Sequence, residues 1–189
     1  HRGSTSSESG MKNNNNENNN QSNTNSSTNL MEVEQQLKTK IRHHFDERKT
    51  LAKQIEEAKI SVDQAKREKG EAKFQLDKSE QVLEKVPLVV RYESKENDRV
   101  AICKRQLENR VNALEKATKN LAELEMKHAH IELVGRDLAR NEIPNRSMIA
   151  NNKNVFNNLM NLFKLNHSEL NALQTELSLK RAEKENGAL

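Results

Sequence analysis

The sequence has no tryptophan, one tyrosine (Tyr92), one cysteine and two prolines in 189 residues. A compact globule of this length would bury several large aromatic side chains, because each removes so much apolar surface from water. Aromatics make up only 3% of this chain, which argues against that architecture. The single cysteine, Cys103, permits no intrachain disulfide and no cysteine-rich metal site, and it suits a reducing compartment. No apolar run approaches the roughly 20 residues a bilayer-crossing helix needs. The longest is Val86-Pro87-Leu88-Val89-Val90. No basic segment leads into the apolar core of a secretory signal. The expectation is an intracellular protein, cytoplasmic or nuclear.

Recognised chemistry is equally scarce. The five glycines are scattered and form neither a phosphate loop nor a dinucleotide pattern. There is no His-Glu-x-x-His, no EF-hand loop and no Cys-x-x-Cys. His43 and His44 are adjacent, His128 and His130 are two apart, and both pairs diverge around a helix. A thin helical rod offers no shaped, water-excluding pocket of the kind catalysis uses. These absences lead to the expectation of a non-enzyme with no catalytic residue, no metal, no cofactor and no small-molecule substrate.

What the chain does contain is charge and helix-forming residues. Charged residues make up 32% and hydrophobic residues 33%, with a mean hydropathy of −1.02. The net charge of +4 arises from 32 basic and 28 acidic residues of interspersed sign. Interspersed charge reads as the solvated surface of long helices rather than as a field aimed at nucleic acid or membrane.

Residues 1–10 resemble the end of a His tag and a linker, and are set aside. Residues 11–31 are Asn-rich and of low complexity. Such a tract cannot bury enough apolar surface to offset its ordering entropy, so disorder is expected there. From about residue 32 to 186 an elongated helical region is expected, with helices near 32–86, 95–141 and 146–185.

The first helix carries a heptad pattern. Its a positions are Ile41, Arg48, Ile55, Val62, Lys69, Leu76 and Leu83. Its d positions include Leu37, His44, Leu51, Ala58, Ala65, Ala72, Ser79 and Val86. The seam is polar at His44, Arg48, Lys69 and Ser79, which suits one member of a multi-helix assembly better than a self-sufficient dimer. Pro87 ends it, lacking an amide hydrogen and disfavouring helical geometry in the residue before it. Leu88, Val89, Val90 and Tyr92 form a short, β-prone, apolar segment, read as the tip of a helical hairpin. A second series follows, with Val100, Leu107, Leu114, Leu121 and His128 at a, and Cys103, Arg110, Ala117, Leu124, Ile131 and Leu138 at d. It fades at Gly135 and is expected to stop before Pro144.

The third segment holds the densest apolar cluster: Val155, Phe156, Leu159, Met160, Leu162, Phe163 and Leu165, continued by Leu170, Leu173 and Leu177. Its polar positions are largely Asn, a mediocre helix former, so packing must stabilise it.

The fold expected is all-α: a long antiparallel coiled-coil hairpin plus a third helix, with a disordered N-terminal tail. The function expected is a non-catalytic structural or assembly subunit that binds partner helices in a hetero-oligomeric coiled-coil complex of cytoskeletal, centrosomal, kinetochore, tethering or mRNA-processing type. Two groups are the candidate partner-binding residues: Leu88, Val89, Val90 and Tyr92 at the tip, and Val155, Phe156, Leu159, Met160, Phe163, Leu170, Leu173 and Leu177 on the third helix. A membrane-surface module of BAR-like type is the alternative, disfavoured by the lack of any cluster of basic residues. A basic coiled-coil nucleic-acid binder is a further alternative, disfavoured because Asp46 and Glu47 interrupt the basic stretch at 38–53. Lys95-Glu96-Asn97 and Lys184-Glu185-Asn186 resemble the KEN-box degron read by the cell-cycle ubiquitin ligase, a pattern that a chain rich in these residues also makes by chance.

Overall fold

The computed structural model describes residues 18–187, and of residues 18–25 the backbone only. Among the described residues every regular element is helical and there is no strand. Helix α1 (Asn18–Glu84) is followed by a 3-10 turn at Arg91–Glu93 and by helix α2 (Lys95–Asp137). A π-helical turn (Leu138–Glu142), two short helices (α3, Ile143–Asn145; α4, Ser147–Ala150) and helix α5 (Lys153–Gly187) complete the chain. At 1.5 Å per residue, the 67 residues of α1 span about 100 Å.

Helix α1 starts earlier than its heptads. Of the tract expected to be disordered, residues 11–17 lie outside the described residues, while 18–31 are helical. Extending an existing helix adds one hydrogen bond per residue without a new nucleation cost, so a weak helix former can follow a strong one. Leu30 and Val33 also pack against the main core.

Helix α2 has a built start. Ser94 accepts the backbone N–H of Asn97 at 3.2 Å, and Glu96 and Asp98 stand in the first turn. At its other end the chain stays helical through Pro144, although the sequence predicts a stop before it. Proline lacks an N–H and its ring collides with the carbonyl four residues back. The π turn at Leu138–Glu142 widens the coil just before the proline, which relieves that collision without ending the rod. The third expected helix, 146–185, is broken at Asn151 and Asn152. The Asn152 side chain accepts the N–H of Val155 at 3.2 Å and starts α5.

Cross-helix ion pairs report the packing directions. Arg48–Glu132, Arg110–Glu68 and Lys104–Glu80 join α1 to α2, and residue numbers rise on one helix as they fall on the other. These two helices therefore run antiparallel. Lys49–Glu169 and Arg181–Glu56 join α1 to α5 with numbers rising together, so α5 runs parallel to α1. Helix α1 is the central element. Beside its seam, Phe45 and Ala52 form a second apolar stripe, and both are buried. One stripe faces α2 and the other lets α5 dock.

The main core lies at the end of the molecule where α1, the π turn, α4 and α5 meet. Leu37, Ile41 and Phe45 pack there with Leu138, Ile143, Ile149 and Leu159. Burying each of these large side chains contributes about 1.5–3 kcal/mol. A smaller cluster of Leu76, Val100 and Cys103, flanked by Leu83 and Leu107, joins α1 to α2 near the far end.

Candidate functional site

The expected tip segment forms turns rather than extended backbone. Val90 N–H donates to the Pro87 carbonyl at 3.1 Å, and the chain enters the 3-10 turn directly afterwards. Arg91 folds back over the end of α1. Its Nη2 donates to the Glu84 and Val86 carbonyls, both at 3.0 Å, and its Nε donates to the Val86 carbonyl at 3.3 Å. These carbonyls would otherwise be left over at the helix end. With the backbone polar groups held this way, the apolar side chains of the tip project outward. Leu88 is 73% exposed, Val89 95% and Tyr92 87%, with Val90 also exposed.

The third-helix candidates are placed differently. Leu159 and Leu170 are completely buried within the chain itself. Val155, Phe156, Met160 and Phe163 pack half-buried against the main core, and Leu173 and Leu177 are half-buried as well. Phe163 meets Phe45 of α1 edge-on, ring centres 5.8 Å apart. The structure therefore separates the two groups that the sequence offered together. The tip is open, and the apolar face of α5 is largely occupied by α1.

A third apolar surface carried no label in the sequence. The contacts between α5 and α1 run from the main core, through Phe45–Phe163, to Arg181–Glu56, where Ile60 and Leu177 line a groove beside that ion pair. Past that point the α1–α2 pair continues alone. Leu107 and Leu114 on the α2 seam are only half-buried there, and Val111 beside them is exposed.

Near the opposite end, α1, α2 with its π turn, and α5 line a cavity of about 430 Å³ that is open to solvent. The third helix stands off α2 rather than closing on it, and this leaves the space accessible to water. Phe45, Phe163 and Ala139 supply apolar wall. Arg48, Arg136, Arg140 and Lys164 stand around it with one carboxylate, Glu132. Arg48 Nη2 donates to Glu132 at 2.7 Å, and its guanidinium carbon lies 5.5 Å from the Phe45 ring centre. His44, 5% exposed, also lines the cavity, and its Nδ1 has no hydrogen-bond partner. Burial, reinforced by the nearby Arg48 charge, holds its imidazole pKa below the ordinary range. His44 and Arg48 stood out in the sequence as polar seam positions. Arg140 and Lys164 gave no signal, because three separate elements bring these groups together.

Cys103 is buried, with its Sγ 3.5 Å from Ser79 Oγ across the α1–α2 pair. Lys95, Glu96 and Asn97 form the first turn of α2, and the Lys184 tripeptide lies within α5. Among the described residues, no group of His, Cys, Asp or Glu is placed to hold a metal ion, and no helix is long and apolar enough to cross a membrane. No family model, no curated protein and no solved structure matches this chain.

Proposed function

We propose that the protein is a non-catalytic assembly subunit, a coiled-coil hairpin with a supporting third helix that takes up helices of partner proteins in a hetero-oligomeric complex. The observation that carries this reading is the incomplete cover of the α1–α2 pair. One end is stabilised by α5 and the main core. The other end presents a two-helix groove edged by half-buried seam leucines, capped by Leu88, Val89 and Tyr92 in open solvent.

A groove between two helices receives the apolar stripe of a third, as α5 does on the covered half. Contiguous exposed apolar side chains are costly to leave in water and commonly mark contact surfaces. The polar seam residues weaken self-pairing and favour partners that complement them.

The test uses the whole chain captured from its native cell extract at moderate salt, alongside a Val89→Asp, Tyr92→Asp variant. Both positions are exposed, so the variant should melt like the parent. Stoichiometric recovery of helical partners by the parent, and their loss from the variant, is the expected result. A parent recovered alone, or partners held equally by both chains, would overturn the reading.

A further inference from the structure

We propose that two copies of this chain pair through the face of the α1–α2 hairpin turned away from α5, as a two-fold dimer in which α1 of each copy packs on α2 of the other. Helix α5 docks beside the seam on the side of Phe45 and Ala52. The other side of the seam is open along the hairpin, and three solvent-filled grooves follow one another there. The first is lined by Val33, Leu37 and Lys40. The second, of about 750 Å³, is lined by Thr50, Leu51, Met126 and Ile131, and His43 joins it to the first. The third is lined by Glu71, Gln75, Gln106 and Asn109. Met126 and Val134 near the main core, and Val82 and Ile102 near the tip, stand exposed along this side.

The two walls of this face differ in sign. On α1 the wall is made by the heptad c and g positions. From Glu47 to Gln75 these hold Glu47, Glu57, Glu68 and Glu71, and no cation. On α2 the same heptad positions from Arg99 to His130 hold Arg99, Lys116 and Lys127 against one carboxylate, Glu123. Glu47 is engaged within the chain by His43, and Glu68 by Arg110. Glu57, Glu71, Lys116 and Lys127 are exposed, with no ion-pair partner among the described residues.

These charges select both the partner and the symmetry. A second copy turned about an axis parallel to the helices, grooves facing, sets each α1 against the α2 of the other copy and keeps every residue at its height. Acidic wall then meets basic wall twice, because a two-fold contact repeats itself. The register of Arg48–Glu132 and Arg110–Glu68 places Lys127 and Lys116 within about a turn and a half of the heights of Glu57 and Glu68. An axis perpendicular to the helices would instead set α1 against α1, acid against acid. Helix α5 lies on the far side and stays clear of the contact. The two hairpins make a four-helix bundle that covers the apolar side chains of both faces. The dimer uses neither the seam nor the tip, so it goes beyond the assembly reading and does not depend on it.

The experiment is sedimentation equilibrium of the full chain, of a Lys116→Glu, Lys127→Glu variant, of a Glu57→Lys, Glu71→Lys variant, and of the two variants mixed. The substituted positions are exposed, and circular dichroism checks that both variants keep the helix content of the parent. The parent should be a dimer at concentrations on the order of 10 µM, and each variant alone should dimerise at least about tenfold more weakly. The mixture should recover the dimer, because each reversed wall then meets a wall of opposite sign. A monomeric parent, a dimer that survives in both variants, or a mixture no tighter than either variant alone would overturn the pairing. Assemblies that grow beyond a dimer would also overturn it, because a two-fold contact closes.

Discussion

The imidazole of His44 on α1 occupies the space that a side chain at position 135 of α2 would need. A methyl group built on Gly135 would come within 2.7 Å of His44 Cε1 and nearer still to Nε2. The glycine is thus the counterpart of the histidine: a buried ring in one seam is accommodated by a missing side chain in the other. It also explains why the second heptad series weakens at Gly135, where the gap in the pattern receives His44.

Gly135→Ala should accordingly destabilise the protein by about 1–3 kcal/mol, the usual cost of overpacking, despite alanine's better helix propensity. Gly70, in the middle of α1, has open space where a side chain would go. Gly70→Ala should stabilise by about 0.5–1 kcal/mol. Urea unfolding of the two variants should move the midpoint in opposite directions. A shift of the same sign in both would refute the contact.

Stability should fall as acid is added, through His44. Its folded pKa lies below the ordinary 6.5, chiefly because burial disfavours the charged ring and secondarily because of Arg48. Glu47 and Glu132 oppose this more weakly, and His43 adds slightly to it. Lys164 and His167 of α5 line the same cavity. The sign follows from proton uptake: below about pH 6.5 the unfolded chain binds a proton that folded His44 does not. The stabilisation is complete above that value and is lost as pH drops toward the folded pKa. Urea melts between about pH 7.5 and 5.5 should show a decline that is smaller in His44→Leu. An equal decline in both proteins would place the effect elsewhere.

The main core should respond sharply to truncation and the outer face should not. Leu159 and Ile149 are completely buried, whereas Phe74 is 63% exposed. Leu159→Ala and Ile149→Ala should each cost about 2–5 kcal/mol through lost burial and the cavity left behind. Phe74→Ala should stay within about 0.5 kcal/mol of the parent. Thermal melts at one concentration suffice to compare them.

Oxidation should not link two copies of the folded chain. Cys103 is 8% exposed and faces Ser79 across the α1–α2 pair rather than another thiol. A parallel, in-register pairing of copies would bring two thiols together, but the antiparallel packing of α2 on α1 occupies that face. Mild oxidant should leave a monomer band on a non-reducing gel, and thiol labelling should be slow until urea is added. A dimer band from native protein would mean that α2 pairs with α2 of another copy.

Much of the helical content was legible in the residues. The 3-4 spacing of Leu37, Ile41, Leu51, Ala58, Val62, Ala65 and Leu76 marks α1, and each of these is buried. Pro87 marks its end within a few residues. Ile143 and Ile149, both completely buried, were not legible. They flank the Pro144 junction, where no single period runs long enough to assign a face. The role of Phe45 was hidden for a related reason. It lies beside the seam, and only a second docking helix makes that position interior.

The sequence by itself determined that the described chain is helical and which stripe of each long helix is apolar, because periodicity and scarcity of turn formers and aromatics are local properties. It also marked the tip, since a proline followed by apolar residues interrupts the pattern wherever the helices later pack. Only the tertiary structure decided that α5 lies on α1 and leaves the far end of the α1–α2 pair open. Only it decided that Arg48, Arg136, Arg140 and Lys164 surround one cavity. Which stripes meet depends on the competition among all pairings for buried area, and that competition is settled between elements far apart in the chain.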